Sequence, residues 1–258
     1  MTTEIFKILS DRFSGYVDRF RIDGVLHPMH QLKRDHSFRV SADARAIAEG
    51  MSWSTEEVNL AEAIGLFHDT ARFPQFQKYQ SFFDAETVDH GDWGFQTLEE
   101  EGLLASVSDE SRALILHSVQ HHNKKQLPEE LSAQEEKHLR LIRDADRLDI
   151  FFVCWQAIHT GSIHEHLEIA MGLDLEGPPT DAVLDQFERG EAIDYRTLNS
   201  MADRFVLQLS WIHDLSYDLT KRLVRERGIL DKFSDILPVK TDRLMKCFET
   251  TESYLAEV

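Results

Sequence analysis

The sequence is short of several features that define common protein classes. Its only two cysteines, Cys154 and Cys247, lie far apart and match no metal-binding or redox spacing, so we expect no disulfide framework. No apolar run reaches the length of a membrane span or a signal peptide. Basic residues are few, with 28 Lys and Arg against 46 Asp and Glu. The net charge of -18 disfavours a nucleic-acid duplex or an anionic membrane as a partner. These features predict a cytoplasmic globular protein.

Strand-like alternation is also rare, and the chain contains only 12 glycines and 6 prolines. Long segments instead repeat apolar residues at the helical period, which predicts an all-α protein. Helices are expected over residues 33–50 and 134–159, from Ser54, from Val88 to Gly102 and after Ser108. We expect a single domain over residues 1–258. Its motif-bearing core would cover about residues 30–155, and residues 156–258 would form a helical extension packed on that core.

An ionisable pair stands where the most apolar of these helices should end. The run "AEAIGLFHDTARF" leaves little polar face and finishes in His68 and Asp69. Ser54 and Glu57 form a capping box at the start of this helix, which fixes its beginning. An unpartnered carboxylate in the interior would be costly, so Asp69 requires a cation or several donors. A metal ion is the simplest candidate.

Other helical stripes bring further ligand-type side chains inward. His36 and His90 each lie on an apolar stripe of a helix, and Asp146 lies on the apolar seam of the 134–159 helix, which favours Asp146 over Asp144 as the buried carboxylate. A sixth group would come from His117, His121 or His122. Imidazole and carboxylate ligands suit one or two divalent transition metals, Mn, Fe, Co, Ni or Zn, and Mg is also compatible.

The ordered set His36, His68-Asp69 and Asp146 in "RDADRLD" resembles the HD-domain metal-dependent phosphohydrolases, which are helical. His90 in "VDHGDWG" and the doublet in "VQHHNKK" resemble the five-histidine versions of that family. The resemblance implies an HD-domain helical bundle with additional C-terminal helices. It assigns His36, His68, Asp69 and Asp146 to a first metal, and His90 with His121 to a second, His122 being the nearest substitute. Asp69 would bridge both metals.

The implied activity is hydrolysis of a small phosphorylated metabolite or nucleotide by a metal-activated water. We expect catalytic roles for Asp69, Arg72 and His122. Arg72 and Lys78 would bind the substrate, since a guanidinium offers a two-pronged contact to phosphate. The alternatives are a di-iron oxygenase of the same superfamily and a non-enzymatic module that senses a metal or nucleotide. Assembly into a homo-oligomer is compatible with the sequence.

Overall fold

The computed structural model describes residues 1–166 and 168–258, and it confirms the all-α class. Within these residues, pairing of the β type is limited to isolated bridges, such as the one between Ile22 and Val25. The same residues contain no helix that is both long enough and apolar enough to cross a membrane. The α helices are α1 Thr3–Asp18, α2 Pro28–Gly50, α3 Thr55–Phe67, α4 Arg72–Tyr79, α5 His90–Glu100, α6 Asp109–His121, α7 Ala133–His159, α8 Asp181–Glu188, α9 Met201–His213, α10 Asp218–Glu226, α11 Ile229–Ile236 and α12 Asp242–Ala256.

The chain divides into two compact units, Met1–Asp149 and Ile150–Val258. Helix α7 passes through the boundary between them. The single-domain organisation drawn from the sequence stays a prediction. In the second unit, Phe205 packs against Phe233, which also meets Phe151 edge to face. Ser200 begins α9 with a capping box to Asp203. These contacts give the second unit an apolar core of its own.

Helix α3 is the central element of the first unit. The predicted capping box is present: Ser54 accepts from the Glu57 backbone amide, and the Glu57 carboxylate accepts from the amide of Ser54. Nearly every residue from Val58 to Phe67 is buried, as expected for a helix with so little polar face. The helix ends at His68, which therefore enters the interior of the unit.

Two close approaches determine how the helices of the first unit pack around α3. Gly65 lies so near α2 that a Cβ atom on it would stand 2.8 Å from Ser41 Cα and 2.9 Å from the Val40 oxygen. In addition, Phe13 of α1 meets Phe67 and Phe73 edge to face, with ring centroids 5.7 and 6.0 Å away. Helix α2 therefore runs directly alongside the end of α3 that carries His68.

Candidate metal centre

Four histidines converge inside the first unit as two pairs. His36 on α2 and His68 at the end of α3 bring their Nε2 atoms to 3.1 Å. His90 at the start of α5 and His122 at the end of α6 bring theirs to 3.0 Å. The members of each pair are 32 residues apart in the sequence. All four rings are buried, and each turns its Nε2 atom towards a common centre.

Two of these rings are anchored by the backbone. His68 Nδ1 lies 2.7 Å from the Gly65 carbonyl oxygen, and His122 Nδ1 lies 2.7 Å from that of Val119. A carbonyl oxygen can only accept, so Nδ1 must donate in both cases. In the neutral ring, the Nε2 lone pair is then left free as a ligand.

The other two rings are anchored by carboxylates. His36 Nδ1 lies 2.6 Å from Asp149 Oδ2, and His90 Nδ1 lies 2.5 Å from Asp84 Oδ2. Asp149 follows Asp146 by one turn of α7, whereas Asp84 lies in a short 3-10 turn between α4 and α5. The same outcome, an Nε2 atom facing the centre, is thus reached by four separate anchors.

Asp69 lies between the two pairs, and each of its oxygens faces one of them. Oδ2 is 3.4 Å from His36 Nε2 and 3.6 Å from His68 Nε2. Oδ1 is 3.4 Å from His90 Nε2 and 3.9 Å from His122 Nε2. This is the arrangement expected of a carboxylate that bridges two cations.

Asp146 reaches the first pair from α7, but its burial differs from the prediction. Its Oδ1 atom is 3.1 Å from His36 Nε2 and 3.5 Å from His68 Nε2. The preference for Asp146 over Asp144 as the buried carboxylate was wrong: Asp144 is 1% exposed, while the Asp146 side chain is 19% exposed. Helix α7 is buried over more than one stripe, so a single apolar seam could not rank its carboxylates. Asp146 lies at the edge of the cluster.

The surroundings of the two histidine pairs shift the pKa values of their rings differently. Burial and Lys33 oppose a proton on His36, but hydrogen bonds to Asp146, Asp149 and Asp69 raise its pKa to about 10. Burial and the neighbouring His90 lower the pKa of His122 to about 3. Burial likewise lowers the pKa of His90. The carboxylates around His36 therefore favour a proton on that ring, whereas burial disfavours a proton on His90 and on His122.

The carboxylates of the cluster stay ionised despite their burial. Burial alone would raise the pKa of Asp69, but Lys33, His68, His36 and Arg72 hold that pKa well below its usual range. His36 and His68 likewise hold the pKa of Asp146 well below its usual range against the effect of burial. A buried set of anionic oxygens and imidazole nitrogens needs positive charge, which a divalent ion can supply.

His122, not His121, completes the second pair. The ring of His121 lies against that of His117, with centroids 4.6 Å apart, outside the convergence of Nε2 atoms. One residue turns a helix by about 100°, so neighbouring residues cannot share a face.

The basic residues named from the sequence take different places. Arg72 Nη1 lies within 2.8 Å of Gln75 Oε1, the Phe82 carbonyl oxygen and Asp84 Oδ1, so the contacts of this atom are to the protein itself. Lys78 is exposed, with its Nζ atom over the ring of Tyr79.

Lys33, which received no site role from the sequence, contacts Asp69 instead, with its Nζ atom 2.7 Å from Oδ2. It stands one turn before His36 on α2, and this spacing was the available signal. Asp84 was also missed, because a loop residue carries no periodic pattern. Lys33, and not Lys78, therefore contacts a carboxylate of the cluster.

The ligand atoms fit a metal. Among residues 1–166 and 168–258, two groups have ligand atoms all within 4.8 Å of one another: His36, His68 and Asp146, and His68, Asp69 and His122. Oxygen and imidazole nitrogen ligands of this kind suit Mn, Fe, Co, Ni or Zn. The two groups share His68, and His90 lies beside the second.

Comparison with known proteins agrees with this geometry. The HD-domain family model matches residues 34–150, a range that includes all four histidines with Asp69, Asp84, Asp146 and Asp149. This part of the chain is an HD domain, which confirms that element of the assignment made from the sequence, while the phosphohydrolase activity stays a prediction. HD domains bind divalent metal ions, and the cluster is of the matching kind.

Other comparisons add little. Among solved structures, the chain is similar to a predicted HD superfamily hydrolase from an uncultured Thermotogales bacterium, with 18% identity, coverage of 87% of this chain and 92% of that chain, and a TM-score of 0.34. A similarity this weak supports no conclusion about the reaction. Among curated proteins, no significant match was found.

Proposed function

We propose that the protein is a metal-dependent phosphohydrolase that cleaves a small phosphorylated metabolite or nucleotide at a site for two divalent cations. One observation carries the proposal: Asp69 stands between two pairs of histidine Nε2 atoms and turns one oxygen to each pair. His36, His68 and Asp146 would hold the first cation with Asp69 Oδ2. His90 and His122 would hold the second with Asp69 Oδ1.

Two adjacent cations supply a water of lowered pKa and neutralise phosphate oxygens, which suits hydrolysis of a phosphoester. The residues of the chain set the geometry for that chemistry. Four anchored imidazoles present their Nε2 atoms without needing to reorganise, and buried Asp69 keeps both halves at a fixed separation. Preorganised groups of this kind lower the barrier because they are not rearranged during the reaction.

The position of Lys33 favours an anionic substrate. Its side chain is 14% exposed, so its ammonium group lies at the edge of the buried cluster, beside Asp69. Lys33 Nζ lies 2.7 Å from Asp69 Oδ2, one of the oxygens that would hold a cation. The ammonium group would be placed there to donate to a phosphate oxygen of the substrate, as lysines in phosphate sites commonly do. Arg72 is better suited to a role inside the protein, because its Nη1 atom already meets three acceptors.

The test combines metal analysis with a panel of phosphoesters. Protein purified without chelators should contain transition metal and should release phosphate or cleave a phosphoester with at least one added divalent metal. His68→Ala and Asp69→Ala should each abolish this activity. His117→Ala is the matched control, since His117 lies on α6 but outside the convergence of Nε2 atoms.

Unchanged turnover in both His68→Ala and Asp69→Ala would refute the proposal. Oxygen-dependent consumption of an organic substrate by protein containing two irons, without phosphoester cleavage, would replace it by the oxygenase alternative. Tight binding of a nucleotide without any product would instead favour the non-enzymatic sensor.

A further inference from the structure

Both carboxylates that anchor histidine rings are themselves held by arginines. Arg39 contacts Asp149 with two atoms, Nε at 2.6 Å from Oδ1 and Nη2 at 3.0 Å from Oδ2. Arg72 contacts Asp84 through Nη1 at 2.8 Å from Oδ1. Each half of the cluster therefore contains a set of three side chains in contact, an arginine, an aspartate and a histidine.

Such a set of side chains determines how its histidine presents the Nε2 atom. A carboxylate that accepts from Nδ1–H keeps the proton on that nitrogen, fixes the plane of the ring and makes Nε2 a stronger ligand. An arginine on the other carboxylate oxygen prevents the carboxylate from rotating away and compensates its charge. Loss of such partners typically lowers metal affinity by about 10- to 100-fold.

We infer that Asp84 and Arg72 are positioning residues for the second cation, holding His90 as Asp149 and Arg39 hold His36 for the first. This inference rests on the proposed two-cation site. It also changes the expected role of Arg72 from contact with substrate to support of a ligand. Gln75 and Asn123 reinforce the assignment, because their side-chain amides donate to Asp84 at 3.0 and 3.3 Å.

The two arginine–aspartate–histidine sets differ in rigidity. This difference predicts which of the two cations is lost first. Asp149 lies within α7, and its side chain is 3% exposed. Asp84 lies in a 3-10 turn, and its side chain is 29% exposed. A carboxylate in a partly exposed turn is held less firmly than one inside a long helix. The cation beside His90 should therefore be the weaker one, and it should be removed first by a chelator.

Binding of Co²⁺ to the full-length protein tests the inference, measured by calorimetry and by the absorption of the bound ion. The wild type should bind about two ions with unequal affinity. Asp84→Asn should lower the affinity for the more weakly bound ion by about 10- to 100-fold and leave the affinity for the more tightly bound ion unchanged. Asp149→Asn should lower the affinity for the more tightly bound ion by a similar factor.

Two further variants separate positioning from a general loss of structure. Arg72→Lys keeps the charge near Asp84 but loses the guanidinium contacts to Gln75 and the Phe82 carbonyl oxygen, so its effect on the affinity for the weaker ion should be smaller than that of Asp84→Asn. Glu99→Gln is the control, because it removes a surface partner of Arg112 far from the histidines. Circular dichroism and thermal melting should show that every variant is folded.

The outcomes distinguish this inference from the proposed function. A wild type that binds two ions, with Asp84→Asn indistinguishable from it, would overturn the role of Asp84 and leave the two-cation site standing. Equal weakening of both ions in Asp84→Asn would also overturn it, because the effect would then not be confined to His90. A wild type that binds fewer than two ions would overturn the two-cation site together with the role of Asp84.

Discussion

Replacing Gly65 with alanine tests the close packing on which the first half of the cluster depends. A Cβ atom at this position would lie 2.8 Å from Ser41 Cα, 3.0 Å from Ser41 N and 2.9 Å from the Val40 oxygen. The shortest of these distances is roughly 0.6 Å below ordinary van der Waals contact. All three neighbours are backbone atoms of α2, so no side-chain rotation can relieve the overlap.

The expected size of the effect follows from two opposing terms. Alanine in place of glycine favours a helix by about 1 kcal/mol. Overpacking a close-packed interior costs about 1–3 kcal/mol. Since the obstacle is backbone, we expect the upper part of that range and a net loss of about 1–2 kcal/mol. Because the Gly65 carbonyl oxygen also accepts from His68 Nδ1, metal affinity should fall as well.

Urea unfolding of Gly65→Ala measures this loss, and Gly15→Ala is the matched control. Gly15 is also within a helix, but a Cβ atom there would have no heavy atom within 4 Å. The control should therefore gain about 0.5–1 kcal/mol. If Gly65→Ala gained stability as Gly15→Ala does, the close approach of α2 and α3 would be refuted.

Three further results are expected. His122→Ala should lower the number of bound metal ions by one per chain, whereas His121→Ala should leave metal analysis unchanged; the opposite result would restore the sequence-based choice. Ser108→Ala removes the side chain that accepts from the Ser111 amide at the start of α6, so urea unfolding should show a loss of about 1 kcal/mol. Contacts with Lys137 and Ser54 lower the pKa of Glu57 from 4.5 to about 2, so its contribution to stability is present above pH 4.5 and lost as the pH falls towards 2. The stability difference between wild type and Glu57→Gln should accordingly shrink over that interval; a difference that grew on acidification would contradict this sign.

Helical positions were the part of the structure that sequence periodicity could predict. The capping box at Ser54 and the helix expected over 134–159, observed as Ala133–His159, follow from local signals. The inward direction of His36 and His90 followed from the stripes of their helices, since a side chain's direction on a helix is fixed by its position along the period.

What periodicity could not provide was the choice between neighbouring candidates and the support around them. Asp144 and Asp146 differ in burial because α7 is covered on more than one side, which depends on tertiary packing. Asp84 lies in a turn without a repeat, and its partnership with Arg72 exists only in the folded chain.

The central claim is that Asp69 holds two metal ions between the histidine pairs. The most direct test is the metal content per chain of wild type and Asp69→Ala, both purified without chelators and saturated with the same divalent metal. The account predicts about two ions in the wild type and a marked loss from both halves of the site in Asp69→Ala. An Asp69→Ala protein that is folded and retains the full wild-type metal content would contradict it.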